Sequence, residues 1–320
     1  MAAVLSPLEV FNLSVNTART ETIAQQVDKF NGASNNTLVL TSAKNQGDFN
    51  TEAYTAELAG LVKRRNQYAD DTVAAIDLAQ LIANSVKIGA GTPPINIDPH
   101  WWTWINKSPE EAGTQIGIQL AEASMQDMLE VATLSLNAAF DNVGATVVNT
   151  SGAVASLVDL DATTGLFGDR AQNIAAWIMH SGVFRQLTQA GLLNAERLFT
   201  YGTVSIMQDA TGRPFIVSDI ANLKGATFST LGLVAGAATV EQNGDYFMNV
   251  ETSNGKENIT RTQQAEWSYN LGLKGYKWDE TNGGASPSDA ALGTGSNWVK
   301  QATDIKNTAG VKMVSLLVAP

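Results

Sequence analysis

Trp177-Ile178-Met179-His180-Ser181-Gly182-Val183-Phe184-Arg185-Gln186-Leu187 is the stretch on which the reading of the fold turns. Just upstream, Ile174, Ala176 and Ile178 alternate with Ala175, Trp177 and Met179, so both faces of the strand are apolar, as expected for a strand covered on two sides. Ser181 then supplies an N-cap hydroxyl for a helix that runs through Val183, Phe184 and Leu187 and closes at Gly191. His180 stands at the joint. It reads as a hydrogen-bonded structural histidine, because no constellation of acid, base and nucleophile converges on it.

Short elements continue downstream. Val204 to Met207, the turn Asp209-Ala210-Thr211-Gly212, and Phe215 to Val217 read as a hairpin, with Pro214 at the entry of its second strand. Phe228 to Val234, Tyr246 to Val250 and Thr262 to Leu273 are three further strands, and Val311 to Val318 is a final apolar one. Gly283-Gly284-Ala285-Ser286-Pro287-Ser288 is a loop.

Upstream lies the clearest helix. Ser108-Pro109-Glu110-Glu111 combines an N-cap Ser, Pro at the first helical position and Glu three residues after the cap. Ile116, Leu120, Met125, Met128, Leu129, Ala132, Leu136 and Phe140 follow mostly at spacings of three and four. The pattern predicts one helix over about 109–140, ending near Asp141-Asn142-Val143-Gly144. Before it, Gly89-Ala90-Gly91-Thr92-Pro93-Pro94 breaks regular structure, and Trp101, Trp102 and Trp104 mark a packing node or an interface. Residues 1–36 look weakly organised: Leu8, Phe11 and Leu13 sit among polar residues, and Thr20 to Phe30 forms at most a short amphipathic helix. Such an arm would gain order by lying on something else. Leu38 to Thr41 is a short strand.

Charge is distributed by region. The 320 residues carry 20 basic and 31 acidic side chains, for a net charge of -11, and only 16% are charged against 44% hydrophobic. So thin a charge cover points to a surface that partners share. Between Lys107 and Arg170 there is no cation, but there are nine carboxylates: Glu110, Glu111, Glu122, Asp127, Glu130, Asp141, Asp159, Asp161 and Asp169. Lys63-Arg64-Arg65 is the one run of three cations, either a solvated loop tip or a loop that docks on an acidic neighbour. The acidic balance argues against bulk attraction to nucleic acid or an anionic membrane. The N-terminus lacks a signal-peptide pattern, and no apolar run is long enough for a membrane helix.

Catalytic chemistry is scarce. Cysteine is absent and His100 and His180 are the two histidines, which removes thiolate sites and leaves little for a His-rich metal centre. Asp159-Leu160-Asp161-Ala162-Thr163 matches the start of a haloacid-dehalogenase phosphatase motif. That chemistry needs the motif at the end of a buried strand, with Ala153 to Val158 as the strand, and no partner set follows. There is no G-x-S-x-G, H-E-x-x-H, P-loop or G-x-G-x-x-G motif. The expectation is a protein that is no enzyme and holds no cofactor or metal; a small acidic hydrolase using Asp159 and Asp161 is the remote alternative.

Taken in order, the later segments resemble the major capsid (coat) proteins of tailed bacteriophages. Trp177 to Leu187 is similar to their "viMHs-vy-xxL" segment, and Gly212-Arg213-Pro214-Phe215-Ile216-Val217-Ser218-Asp219 to their "G-r-x-v-i-v-x-D" strand. Tyr269-Asn270-Leu271-Gly272-Leu273-Lys274-Gly275-Tyr276-Lys277-Trp278 resembles "y-x-lgvkGyxW". Ser286-Pro287-Ser288, Leu292 with Asn297-Trp298, and Lys306 through Val314 follow in the family's order.

The resemblance implies an α+β chain with the HK-ninety-seven type fold. Its expected parts are an N-terminal arm at 1–36, an extended loop region at 37–75, a peripheral domain at 76–150 and 296–320 containing the spine helix, and an axial domain at 151–295. It also implies homo-oligomers, hexamers and pentamers, closing the icosahedral capsid of a virion around double-stranded DNA, with the chain itself synthesised in the host bacterial cytoplasm. A portal, and scaffolding or decoration proteins, would be further partners. An encapsulin-type nanocompartment shell is the alternative. On this reading Lys63, Arg64 and Arg65 contact a neighbouring subunit, and part of the acidic face of Glu110, Glu111, Glu122, Asp127 and Glu130 lines the lumen.

Overall fold

The computed structural model describes residues 7–42, 47–55, 67–68, 80–97, 108–150, 152–189, 196–208, 212–255 and 257–317. Helix α1 (Pro7–Ala33) leads into strand β1 (Leu38–Ser42), then β2 (Phe49–Thr55), β3 (Gln80–Gly91) and β4 (Ile95–Ile97). The long helix α2 (Pro109–Asn142) follows, then β5 (Val147–Thr150), α3 (Leu157–Thr164), β6 (Ile174–Met179) and α4 (Ser181–Gln189). The rest is mainly β: β7 (Glu196–Tyr201), β8 (Val204–Gln208), β9 (Pro214–Ser218), β10 (Thr227–Val234), β11 (Ala238–Gln242), β12 (Phe247–Ser253) and β13 (Thr260–Leu273). Last come β14 (Tyr276–Trp278), the short helices α5 (Glu280–Gly283) and α6 (Asp289–Leu292), β15 (Trp298–Lys300) and β16 (Gly310–Leu316).

Two seven-stranded sheets carry these strands. The first has the order β1-β11-β13-β3-β2, with β12 and β4 flanking the N-terminal half of β13. The second has the order β5-β16-β10-β6-β9-β8-β7. Strand β6 runs parallel to β9, and the α4 helix and the β7–β8 hairpin lie between them in sequence. The hairpin expected at 204–217 is present, with Ser205 opposite Val217 and Pro214 opening β9. Strand β6 is covered on both faces, as its unbroken apolar run requires.

The sheets do not follow the division expected at 151 and 296. Strand β16, expected in the peripheral domain, pairs with β10 and β5 in the second sheet. Strands β11, β12 and β13, expected in the axial domain, pair in the first sheet with β1, β3 and β4.

Helix α2 begins with the capping box its sequence encodes. Ser108 Oγ accepts from the Glu111 amide at 3.2 Å, and Glu111 Oε2 accepts from the Ser108 amide at 3.3 Å. At 34 residues the helix spans about 51 Å, and it buries Met125, Met128, Leu129, Leu136 and Phe140 in the main core.

Helix α1 corrects the expectation of a weakly organised arm. It is one helix of 27 residues lying on α2, not a short one from Thr20. Phe11, Val15, Arg19, Ile23 and Phe30 are its buried residues. The close approach is made by glycines: a Cβ on Gly113 would lie 2.7 Å from Phe11 O, and one on Gly117 2.6 Å from Val15 O. Phe30 belongs to the main core, whereas Phe11 and Val15 join a separate small cluster with Ile97, Ala112 and Leu120.

Other local expectations shift as well. Gly89, Ala90 and Gly91 are strand, paired with Ser268, Trp267 and Glu266, so the break is confined to residues 92–94. The N-cap of α4 is His180 rather than Ser181, because the imidazole Nδ1 accepts from the Gly182 amide at 3.0 Å. Gly191, His100 and the tryptophans at 101, 102 and 104 lie outside the described residues.

Candidate assembly surfaces

The motifs that carried the resemblance turn out to be packing joints. The pairing of β14 with β15 sets Trp278 opposite Trp298, with ring centroids 4.8 Å apart in an edge-on arrangement. Both are fully buried, and each indole donates to a backbone carbonyl at 3.0 Å: Trp278 to Gly284 and Trp298 to Leu292. Gly275 has φ 78° and a Cβ there would lie 2.9 Å from Asn307 O, which explains a glycine before Tyr276. The two upstream motifs meet through Asp219. Its Oδ1 accepts from the Ser181 amide at 3.3 Å and lies 3.4 Å from His180 Nε2. The His180 ring stacks on Phe228 at 5.2 Å, and its pKa is lowered, first by burial and then by Lys224, against the pull of Asp219.

Carboxylates of the stretch between Lys107 and Arg170 find partners from the far end of the chain. Asp141 pairs with Lys312 at 2.6 Å, and Asp169 with Lys306 at 2.6 Å. Lys312 is 4% exposed, so Asp141 satisfies a cation that would otherwise be buried alone. Asp127 accepts from the Tyr269 hydroxyl at 2.8 Å; burial pushes both groups up in pKa. Glu122 faces the β7–β8 turn, where its Oε1 occupies the space a Cβ on Gly202 would need.

The five acidic residues singled out on α2 therefore do not form one face. At about 100° per residue they fan around the helix. Glu122 and Asp127 turn toward their own subunit, while Glu110 and Glu111 remain exposed beside Thr114 and Gln115. Lys63, Arg64 and Arg65 lie outside the described residues.

Asp159 and Asp161 sit on a helix, not at the end of a strand. Ser156 caps α3: its Oγ accepts from the Asp159 amide at 3.3 Å, and Asp159 Oδ2 accepts from the Ser156 amide at 3.1 Å. The carboxylate proposed as a nucleophile is thus engaged as a helix cap. Among the described residues no group of three His, Cys, Asp or Glu is placed to hold a metal ion, and no helix is long and apolar enough to cross a membrane.

Three exposed apolar side chains lie on or beside the strands that flank the distal half of β13. There β12 pairs Phe247 with Glu266 through Ser253 with Thr260, and β4 adds only three residues on the other side. Phe247 is 61% exposed, Ile259 55% and Ile95 40%. Apolar side chains on an open strand edge are an assembly surface in a protein that associates and a liability in one that does not. Sequence reading missed this site. Its signal was the polar alternation of 247–253 beside an apolar Phe, which resembles any surface strand.

Known proteins converge on the same reading. The family model Gp13-like, described as major capsid protein 13-like, matches residues 7–312. The chain is similar in fold to the protein of the cyanophage Pam1 capsid asymmetric unit, with TM-score 0.50, 10% identity, and coverage of 87% of this chain and 88% of that one. It is similar to the capsid of Myoviridae phage XM1, with TM-score 0.50, 11% identity, and coverage of 88% and 90%. The capsid of Ralstonia phage GP4 aligns with TM-score 0.49 at 10% identity, over 90% and 89%. No curated protein sequence matches. The architecture is that of the HK-ninety-seven type phage shell proteins. This chain belongs to the Gp13-like family of phage major capsid proteins and forms capsid shells.

Proposed function

We propose that the protein assembles through hexamers and pentamers of itself into an icosahedral shell enclosing double-stranded DNA, and that it performs no catalysis. The observation that carries this reading is the open ribbon of β12, β13 and β4, with Phe247, Ile259 and Ile95 exposed on a thinly charged chain of the capsid family. By register Phe247, opposite Glu266, and Ile95, opposite Gln263, lie on opposite faces of the ribbon, so a neighbour on either face would remove apolar area from water, at roughly 25 cal/mol per Å². Repetition around a closed ring multiplies that gain by avidity.

In this reading the first sheet with α1 and α2 is the peripheral domain and the second sheet the axial domain, so both domains are discontinuous in sequence. Lys63, Arg64 and Arg65 are assigned to an inter-subunit contact with an acidic neighbour. Glu110 and Glu111 are assigned to a lumen wall that repels DNA and keeps it mobile; Glu130, about 160° around the helix from Glu110, and Glu122 and Asp127, turned toward their own subunit, are withdrawn from that role. Portal, scaffolding and decoration proteins are the further partners.

The test is expression of the chain followed by size-exclusion chromatography and negative-stain imaging. Particles hundreds of ångströms across are expected; a small soluble oligomer with hydrolase activity would refute the assignment.

A further inference from the structure

Four asparagines in the chain are followed directly by glycine: Asn31, Asn243, Asn254 and Asn282. Such a pair is chemically unstable, because the glycine nitrogen can reach the asparagine side-chain carbonyl and no Cβ crowds its approach. Two freedoms are needed for the reaction. The side chain must swing back onto its own main chain, and the attacking amide must have no acceptor of its own.

Three of the pairs are held. The Asn31 side chain donates to the Leu40 carbonyl at 2.8 Å and accepts from the Leu40 amide at 3.1 Å, and Gly32 lies inside α1. Asn243 is 9% exposed; its Nδ2 donates to Ser268 Oγ at 2.9 Å, and its Oδ1 accepts from Asn270 Nδ2 at 2.9 Å. Asn282 donates to Asp279 Oδ2 at 2.6 Å, and the amide of Gly283 donates to the Asp279 carbonyl at 2.8 Å. Asn254 differs on each count. It opens the connection between β12, which ends at Ser253, and β13, which begins at Thr260. Asn254 and Gly255 are both exposed, and among the described residues no hydrogen bond holds the Asn254 side chain or the Gly255 amide. Gly255 has φ 95°, a conformation that keeps a glycine at this position, and nothing lies within 4 Å of where a Cβ would stand.

We propose that Asn254 is a site of self-modification, at which the folded chain deamidates without an enzyme. The Gly255 nitrogen gives up its proton and bonds to Asn254 Cγ; the Cγ–Nδ2 bond breaks, and ammonia leaves with a proton in place of the one released. Water then opens the resulting succinimide at either carbonyl, to aspartate or to isoaspartate, whose main chain runs through the former side chain. In balance one water is taken up and one ammonia is lost, with no oxidant or reductant. The new carboxylate stands between Glu251 and Glu257 in sequence, at the end of the open ribbon of an already acidic chain. The inference does not depend on what the chain assembles into.

Incubation of the full chain, as the unassembled subunit in mildly alkaline buffer, tests it when followed by cleavage after glutamate and mass spectrometry. Cuts at Glu241, Glu251 and Glu257 put Asn243 and Asn254 on separate peptides, 242–251 and 252–257, and Asn254 is the one amide side chain of the second. That peptide is expected to convert at least about tenfold faster than those carrying Asn31, Asn243 or Asn282, which must first open locally. In denaturant all four pairs are expected to convert at comparable rates. Asn254→Gln is expected to stop conversion of 252–257, because its longer side chain closes the ring poorly. Asp279→Ala, which removes the acceptor of the Asn282 amide, is expected to speed conversion at Asn282 and leave Asn31 and Asn243 unchanged. The proposal is overturned if 252–257 stays unmodified in the folded chain while the denatured chain converts. Folded Asn31, Asn243 or Asn282 converting as fast as Asn254 overturns it as well.

Discussion

Strands β10 and β12 are similar in length, eight and seven residues, and each lies in one of the two large sheets. Strand β10 is buried from Phe228 to Val234 and is flanked by β16 and β6, whereas β12 exposes Phe247, Asn249 and Glu251 and, among the described residues, pairs only with β13. The first is completed by its own chain. The second has, among the described residues, its ladder finished on one side and its apolar residue exposed. On the proposed reading one polypeptide holds a region specified for folding and a region left for a neighbour, and substitutions in the two should fail in different ways.

The largest effect is expected in the self-completed region. Trp298→Ala removes a fully buried indole packed edge-on against Trp278, and about 3–5 kcal/mol of stability should be lost. Thermal unfolding of the unassembled subunit reads this directly. An intermediate effect is expected where the small cluster joins the two helices. Gly117→Leu forces a side chain against Val15 O, and about 1–3 kcal/mol should be lost, with the main core still protected in hydrogen exchange.

The open region should respond in the opposite sense. Phe247→Asp is expected to change subunit stability by no more than about 0.5 kcal/mol, because the ring is exposed, yet to abolish particles in negative stain. Normal shells from that variant would remove β12 from the contact and dissolve the contrast between the strands.

The smallest effect is a slope in pH. Burial holds the His180 imidazole below its ordinary value; Asp219 opposes that shift, Lys224 adds to it, Phe228 covers the ring, and the Gly182 amide donates to its bare Nδ1. The unfolded chain therefore takes up this proton before the folded one as pH falls. The contribution is complete above the unfolded value of about 6.5 and declines as pH drops from there toward the folded-state value. His180→Asn keeps an acceptor at the helix start without titrating, so unfolding measured across this window should lose that part of its pH dependence.

How much of this was legible in the sequence depended on range. The capping box of α2, the alternation of β6 and the hairpin at 204–217 are written within a dozen residues each, and they fold as written. Helix α1 escaped because Arg19 interrupts its stripe, and only the aromatic rings of Tyr246 and Trp267, more than 200 positions away, make a cation acceptable there. The membership of the sheets escaped for the same reason. That β16 joins the second sheet and β13 the first is decided by pairing partners, not by anything in the strands themselves. The acidic run of 110–169 looked unanswered because its cations, Lys306 and Lys312, arrive from the far end of the chain. The open edge of β12 was invisible to pattern, since a strand waiting for a partner and a strand facing solvent are written alike.

Strand β13 has a mechanical consequence. Its 14 residues run unbroken from the ladder with β12 and β4 to the ladder with β11 and β3, and Tyr269 fastens its inner half to Asp127 on the long helix. A continuous beam of this kind transmits tilt. A displacement of its outer half carries through to the inner half, where Tyr269 holds Asp127 and Leu271 and Leu273 share the core with the long helix, so the strand and the helix are geared to each other.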